Sequence, residues 1–513
     1  MKKILILSSL LIFIFLPGCE KFLDEEPLAE IGIGQFYKSK FDADAAMAGM
    51  YSTLATHLAG GPTNHNDRLN YYGEYRSDNF ERHGGYTNNN VDQLSFNTLN
   101  PDNTYSDWTG FYKIIGRANN NIKYIPTITS DFNLTPAISN RYVAESHAVR
   151  AISYFYIVRV WGDAPVWLEP YENLADEPNR AREPVDKIIN EVIIKDLETA
   201  YGLITKDVTP IVYNVGEAAV CAALADVYMW KKDYPNAIKW FQNLFKARNP
   251  KGTPYAGISD ANLQPTATWK SIFTAPSGSI EAIWNLHWDP LKNGDINAIV
   301  TISGSNKPMI IDLDVFNTYF ASYRTVAGPD IRIKQTVDVY RDNAGSNFSR
   351  DRVIKYYPTP AAPTTSPASS TFAKTIPVYF PMYRLGGMYL LYAEALNGSG
   401  DLAGALKYLN FIRKRAGISQ YVASNPAVAS KAAMENTILQ ERQIELFAEG
   451  KRWFDLVRTG KVKEVMDPVL IRRQTAATSP PIGFDDIRTI LWPISRTVIN
   501  SNSNLVQNPA YSQ

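Results

Sequence analysis

Between Tyr71 and Tyr86 the chain sets aromatic rings among side chains that donate and accept hydrogen bonds. Tyr71-Tyr72-Gly73-Glu74-Tyr75-Arg76-Ser77-Asp78 is followed closely by His83 and Tyr86. Such a mixture suits recognition of a sugar, which presents one apolar face and a rim of hydroxyls. It needs a flat ring beneath it and side chains offering paired hydrogen bonds. Tyr72, Arg76, Asp78, His83 and Tyr86 are therefore the candidate ligand-binding residues of this stretch. Trp288 joins them, because it ends Glu281 to Trp288, which alternates like a short strand. With 10 Trp, 30 Tyr and 22 Phe the chain can furnish several platforms, but most of these rings fall on helical faces, so platforms must come from loops.

Catalytic chemistry has no comparable signature. There is no GxSxG elbow, HExxH, phosphate loop or CxxC pair. His57, His65, His83, His147 and His287 lack metal-ligand spacing, so neither metal nor cofactor is expected. Two-carboxylate glycosidase chemistry leaves no local mark, and a buried Asp/Glu pair with raised pKa in a cleft would point to it. Arg442, Glu445, Glu449, Arg452 and Asp455 recur at three-and-four spacing on an expected helix over 438–460. They read as a self-neutralising ion-pair lattice rather than as acid and base.

The elements that must hold a loop site are helical. Leu385, Met388, Tyr389, Tyr392, Ala395 and Leu396 form one apolar face. Asn397-Gly398-Ser399-Gly400 stops that helix, Asp401 caps the next, Leu402, Ala405, Leu406, Leu409 and Ile412 line its face, and Gly417 closes it. The same pattern stands 168 residues earlier, with Ala225, Asp233, Ala237, Trp240, Phe241 and Leu244 matching Ala393, Asp401, Ala405, Tyr408, Leu409 and Ile412. Helix pairs too thin to bury their own faces are tetratricopeptide-like repeats, here near 215–247 and 383–417. Helices are also expected over 41–57, from Thr135-Pro136 to Trp161, and over 185–203. The stretches near 60–104 and 249–380 are loop-rich, the latter an insertion between the repeat copies.

Residues 1–18 read as a signal peptide: Lys2 and Lys3, an apolar run from Ile4 to Leu16, then Pro17-Gly18 before Cys19. Cys19 in that setting resembles a lipobox cysteine, a lipid anchor, and 19–40 is its tether, with the acidic Asp24-Glu25-Glu26-Pro27. A domain over 41–513 follows. Charges balance to within one residue after the peptide is removed, which excludes an electrostatic footprint for nucleic acid. Cys221 is then left without a disulfide partner, a buried inert thiol on an apolar face.

Together these residues resemble the SusD/RagB family of outer-membrane nutrient-binding lipoproteins. The resemblance rests on Cys19 with KFLDEEP, Arg150 to Tyr156 running to Trp161-Gly-Asp-Ala-Pro165, and Tyr383-Arg384 through LLYAEALN to FIRKRAG. It extends to ERQIELFAEGKRWFDLVRTGK and the terminal LWPIS and LVQNPAY. It implies a mainly α fold, a right-handed superhelical scaffold of four tetratricopeptide-type helix pairs with an irregular, loop-rich insertion. Two pairs are read from periodicity and two are assigned to the N-terminal half. It implies a lipid-anchored protein facing the cell exterior that binds oligosaccharide or polysaccharide and delivers it, without catalysis, to a SusC-like TonB-dependent transporter. Peptide cargo, a purely structural partnership with the transporter, and glycoside hydrolysis are the alternatives. In such a family Arg76 and Asp78 could equally form a local structural salt bridge.

Overall fold

The computed structural model describes residues 36–60, 68–84, 88–173, 175, 177–293, 309–321, 328–337, 342–343, 347–348, 350, 353–356, 377–476 and 480–512. Its scaffold is a row of stacked helices: α1 (Lys40–Ala59), α2 (Thr109–Tyr124), α3 (Pro136–Trp161), α4 (Ile194–Leu203), α5 (Glu217–Trp230), α6 (Tyr234–Lys246), α7 (Leu385–Gly398) and α8 (Leu402–Ala416). Each packs on the next, so that α1/α2, α3/α4, α5/α6 and α7/α8 are the four pairs. The two copies found by periodicity are alike down to their caps. Asp233 and Asp401 share backbone angles near φ −86°, ψ 75° and −87°, 78°, and each carboxylate accepts from an amide in the first turn of its helix. Phe241 and Phe245 of α6 meet Tyr392 of α7 at ring distances of 5.1 and 5.3 Å, so the pairs bury their aromatic faces against each other. Thr135 caps α3 with Pro136 in its first turn, as expected, and Gly417 closes α8 at φ 81°.

The two N-terminal pairs lack short turns. Their helices are joined by the 60–108 and 162–193 stretches, and α4 is entered through a π turn, Ile189–Ile193, so no hairpin signal marks them. The insertion is closed at its base by two antiparallel strands. With β1 (Phe80–Arg82), β2 (Ala282–Trp288), β3 (Met309–Ile311) and β4 (Val378–Arg384), the pairings are β1 with β3 and β2 with β4. Among the described residues no helix is long and apolar enough to cross a membrane.

The helix expected over 438–460 is two, α9 (Lys431–Glu445) and α10 (Arg452–Thr459). Ala448 and Gly450 between them take φ of 64° and 71°, which ends α9 and doubles the chain back. That turn lets Arg442 on α9 clasp Asp455 on α10 at 2.9 and 2.8 Å, and Arg458 reach the same carboxylate at 2.8 Å. The remaining charges pair outward: Glu445 with Arg384, Arg415 and Arg332, Glu449 with Arg384 and Lys355, and Arg452 with Asp78. The five charges are ion-paired, but of them only Arg442 and Asp455 neutralise each other; the expected self-neutralising lattice is replaced by one whose partners come from other segments, because the turn after Glu445 turns the rest outward. Cys221 is fully buried, and burial pushes its thiol well up, out of nucleophilic range.

Candidate functional site

The aromatic stretch before β1 turns inward. Tyr72 has no exposed surface; its ring lies edge-on to Trp161 and Trp492 at 5.4 and 5.2 Å, and its hydroxyl donates to the Tyr105 carbonyl at 2.9 Å. Arg76 lies over the Trp453 ring at 4.3 Å and donates to the carbonyls of Thr489 and Ile490 and to Asn97 Oδ1. Asp78 accepts two bonds of 2.8 Å from Arg452 and one of 2.9 Å from Gln443, so it is bridged to α10 and α9 rather than to Arg76. These three side chains weld the 68–80 stretch to the C-terminal segments, and that use removes them from solvent. Trp288 is likewise only 2% exposed. His83 is half-buried just past β1 and does not line the cleft described below. Tyr86 and Cys19 lie outside the described residues. Among the described residues, Tyr72, Arg76, Asp78, His83 and Trp288 thus do not line a common cleft.

What is brought together is a cleft of about 550 Å³ between α1, the start of α3, the 204–216 connection and one face of β2. On β2, His287 stands opposite Tyr379 of β4, and their rings stack at 4.9 Å and 16°. Tyr213 joins them at 4.8 Å from His287 and 5.7 Å from Tyr379, with its plane within 30° of both. All three are half-exposed, and Tyr213 and His287 line the cleft. Side chains alternate along a strand, so Asn285 shares the face of His287, further in. Asn285 is 1% exposed, and neither its Oδ1 nor its Nδ2 has a hydrogen-bond partner. A ring stack that leaves an outer face and ring edges toward the cleft, beside an unspent amide, is an arrangement that can hold a sugar ring.

The platform is positioned from beneath. Tyr51 of α1 donates to Glu145 Oε2 at 2.7 Å and accepts from the Val215 amide at 2.9 Å, while Asn214 Nδ2 donates to the same carboxylate oxygen at 3.1 Å. This clamp fixes the turn that carries Tyr213. Tyr51→Phe removes both bonds at once and is expected to destabilise by about 1–3 kcal/mol. Hydrogen exchange at the Val215 amide should accelerate, and ligand affinity should fall although Tyr51 need not touch the ligand. The carboxylates of the cleft diverge: burial pushes Glu145 up, whereas for Asp44 bonds from Lys40 and Tyr142 outweigh burial and hold it low.

Sequence reasoning missed Tyr213, Asn285, His287 and Tyr379. The parity of β2 was the available signal: choosing Trp288 because it ends the strand selects the face that Trp284 shares, and the core claims both of those rings. Tyr213 and Tyr379 sit in segments far from β2 in sequence, and only the closure of the insertion assembles them.

Two family models match the chain. That of the SusD family covers residues 301–511, and one described as starch-binding, associating with outer membrane, covers 21–229. The chain belongs to the SusD family. As a SusD-family chain it is 26% identical to the SusD-like protein P38 of Formosa agariphila, over 97% of this chain and 96% of that one. A SusD superfamily protein of Bacteroides vulgatus has the same fold, with a TM-score of 0.71 and 19% identity over 93% of this chain and 100% of that one. A laminarin-binding SusD-like protein has it too, with a TM-score of 0.69 and 21% identity over 93% and 100%. The SusD scaffold thus accounts for the four helix pairs, and the cleft lies where α1, α3 and β2 of that scaffold converge.

Proposed function

We propose that this SusD-family protein captures oligosaccharide or polysaccharide in the α1–α3–β2 cleft and passes it, chemically unchanged, to a SusC-like TonB-dependent transporter. A lipid on Cys19 would hold it at the outer membrane, facing the cell exterior. The observation that carries this reading is the stack of Tyr213, His287 and Tyr379 beside the unpartnered amide of Asn285. Apolar ring faces take the C–H face of a pyranose, and polar groups at the platform's edge take its hydroxyls. The cleft volume lies within the range of small-molecule sites. That a similar protein is named for laminarin binding supports the sugar class.

Hydrolysis in the same cleft is the second reading, favoured by the opposed shifts of Glu145 and Asp44. Against it, Glu145 is committed to Tyr51 and Asn214, and Asp44 to Lys40 and Tyr142. Titration calorimetry of the full chain with a panel of oligosaccharides tests both. Saturable binding without new reducing ends, weakened roughly tenfold or more by Tyr213→Ala, is expected. Release of reducing ends that stops in Glu145→Gln would establish the hydrolase instead. Binding that Tyr213→Ala leaves unchanged would remove the cleft from the account.

A further inference from the structure

Resting on that reading of the cleft, we infer that its ligand is a neutral glycan, and that Asn285 is the residue that selects hydroxyl pairs over acidic groups. The first argument is charge. Among the described residues Asp44, Glu145, Glu217, Arg141 and Arg248 line the cleft, and both guanidiniums already face a carboxylate. Arg141 Nε lies 3.6 Å from Glu145, and Arg248 Nε lies 2.8 Å from Asp207 while its Nη1 donates to the Gly252 carbonyl. A uronate or sulfate entering here would meet three carboxylates against two guanidiniums, each of which already lies beside a carboxylate. Sugar hydroxyls, in contrast, can donate to carboxylate oxygens.

The second argument is the amide itself. Asn285 offers one acceptor and one donor pair side by side, and neither has a hydrogen-bond partner; among the other described residues lining the cleft only Arg141, at Nε, leaves a buried polar side-chain atom unpartnered. Adjacent hydroxyls match it: one donates to Oδ1 and the other accepts from Nδ2. A carboxylate has acceptors only, so it could satisfy Nδ2 but would set its charge against Oδ1. Buried polar groups are nearly always paired in folded proteins, so an unpaired amide beside a cleft is left to pair with water or with a ligand that displaces it.

Two panels and three variants of the full chain decide this. The neutral panel is laminari-, cello-, malto- and manno-oligosaccharides; the acidic panel is oligogalacturonate, oligoalginate and a sulfated galactan. A neutral sugar should bind at least tenfold tighter than any acidic one. Asn285→Leu, nearly isosteric, should weaken that binding roughly 10- to 100-fold through two lost hydrogen bonds. The same substitution should leave Tm unchanged or raise it by about 1–2 °C, because an unsatisfied buried amide is removed. Asn285→Asp should also weaken neutral binding without admitting acidic sugars. Tighter binding of an acidic sugar, still sensitive to Tyr213→Ala, overturns the neutral class while keeping the cleft. Neutral binding sensitive to Tyr213→Ala but indifferent to Asn285→Leu, or a fall in Tm with Asn285→Leu, overturns the role of Asn285. No binding to either panel overturns the glycan reading and this inference with it.

Discussion

Replacing Glu445 with Ala is expected to lower stability by about 3–5 kcal/mol, read as a fall in the urea midpoint without a change in slope. Glu445 has no exposed surface and accepts from Arg415, Arg384 and Arg332 at 2.5, 2.6 and 3.0 Å. Around it Arg332, Lys355, Arg384, Arg413 and Arg415 face Asp330, Glu281, Glu441, Glu445 and Glu449, so positive and negative charges balance. Removing one carboxylate leaves a buried cation uncompensated, which is the expensive way to break such a network. Glu445→Gln should lose most of the same stability, since it keeps the volume and removes the charge. A loss below about 1 kcal/mol in both variants would mean that water or relaxation screens the cluster, contrary to its burial.

The network also sets an acid limit. Burial pushes Glu445 up, but Arg415, Arg384 and Arg332 together hold it well below the ordinary carboxylate value. Asp455, between Arg442 and Arg458, is likewise held down against burial, to about 2. For a depressed acid the stabilisation is complete above the unfolded value and is lost as pH falls toward the folded one. The stabilisation supplied by these two carboxylates should therefore be flat down to about pH 5 and fall steeply from about pH 4 to 2.

Gly73→Ala should be comparably damaging. A Cβ at Gly73 would sit 2.0 Å from the Gly450 carbonyl oxygen, and a Cβ at Gly450 would sit 2.7 Å from Leu69 Cγ and 2.8 Å from the Leu69 carbonyl oxygen, so neither position has room for a side chain. Both obstacles involve backbone, so one chain must withdraw. That motion pulls Glu74 from the Lys451 amide at 3.1 Å and strains the Asp78–Arg452 bridge that follows. A loss of about 3 kcal/mol or more is expected from overpacking alone. Gly116→Ala in α2 is the control: nothing lies within 4 Å of its Cβ, so it should stabilise by about 0.5–1 kcal/mol through helix propensity. Equal melting temperatures for Gly73→Ala and the unmodified chain would show that the two segments are not rigidly docked.

The two C-terminal helix pairs and their caps were legible in the sequence because they are written locally. Asp401 lies next to the helix it caps, and Asp233 repeats it with the same backbone angles. The break after Glu445 was not legible, because charged spacing continues across Ala448-Glu449-Gly450 as though the helix did. Ligand residues were less legible still. Tyr72 and Tyr213 are the same residue type in polar, aromatic surroundings, yet Tyr72 is enclosed by Trp161 and Trp492 while Tyr213 stacks at the rim of a cleft. What separates them is which distant segment folds over each, and no local spacing records that.

A crystal structure of the chain with a bound neutral oligosaccharide, chosen as the tightest in the calorimetric panel, tests the central claim most directly. The expected result is a sugar ring packed against the Tyr213–His287 stack, with two hydroxyls on the amide of Asn285. A sugar bound elsewhere, such as around His83, with the α1–α3–β2 cleft unchanged, would contradict it.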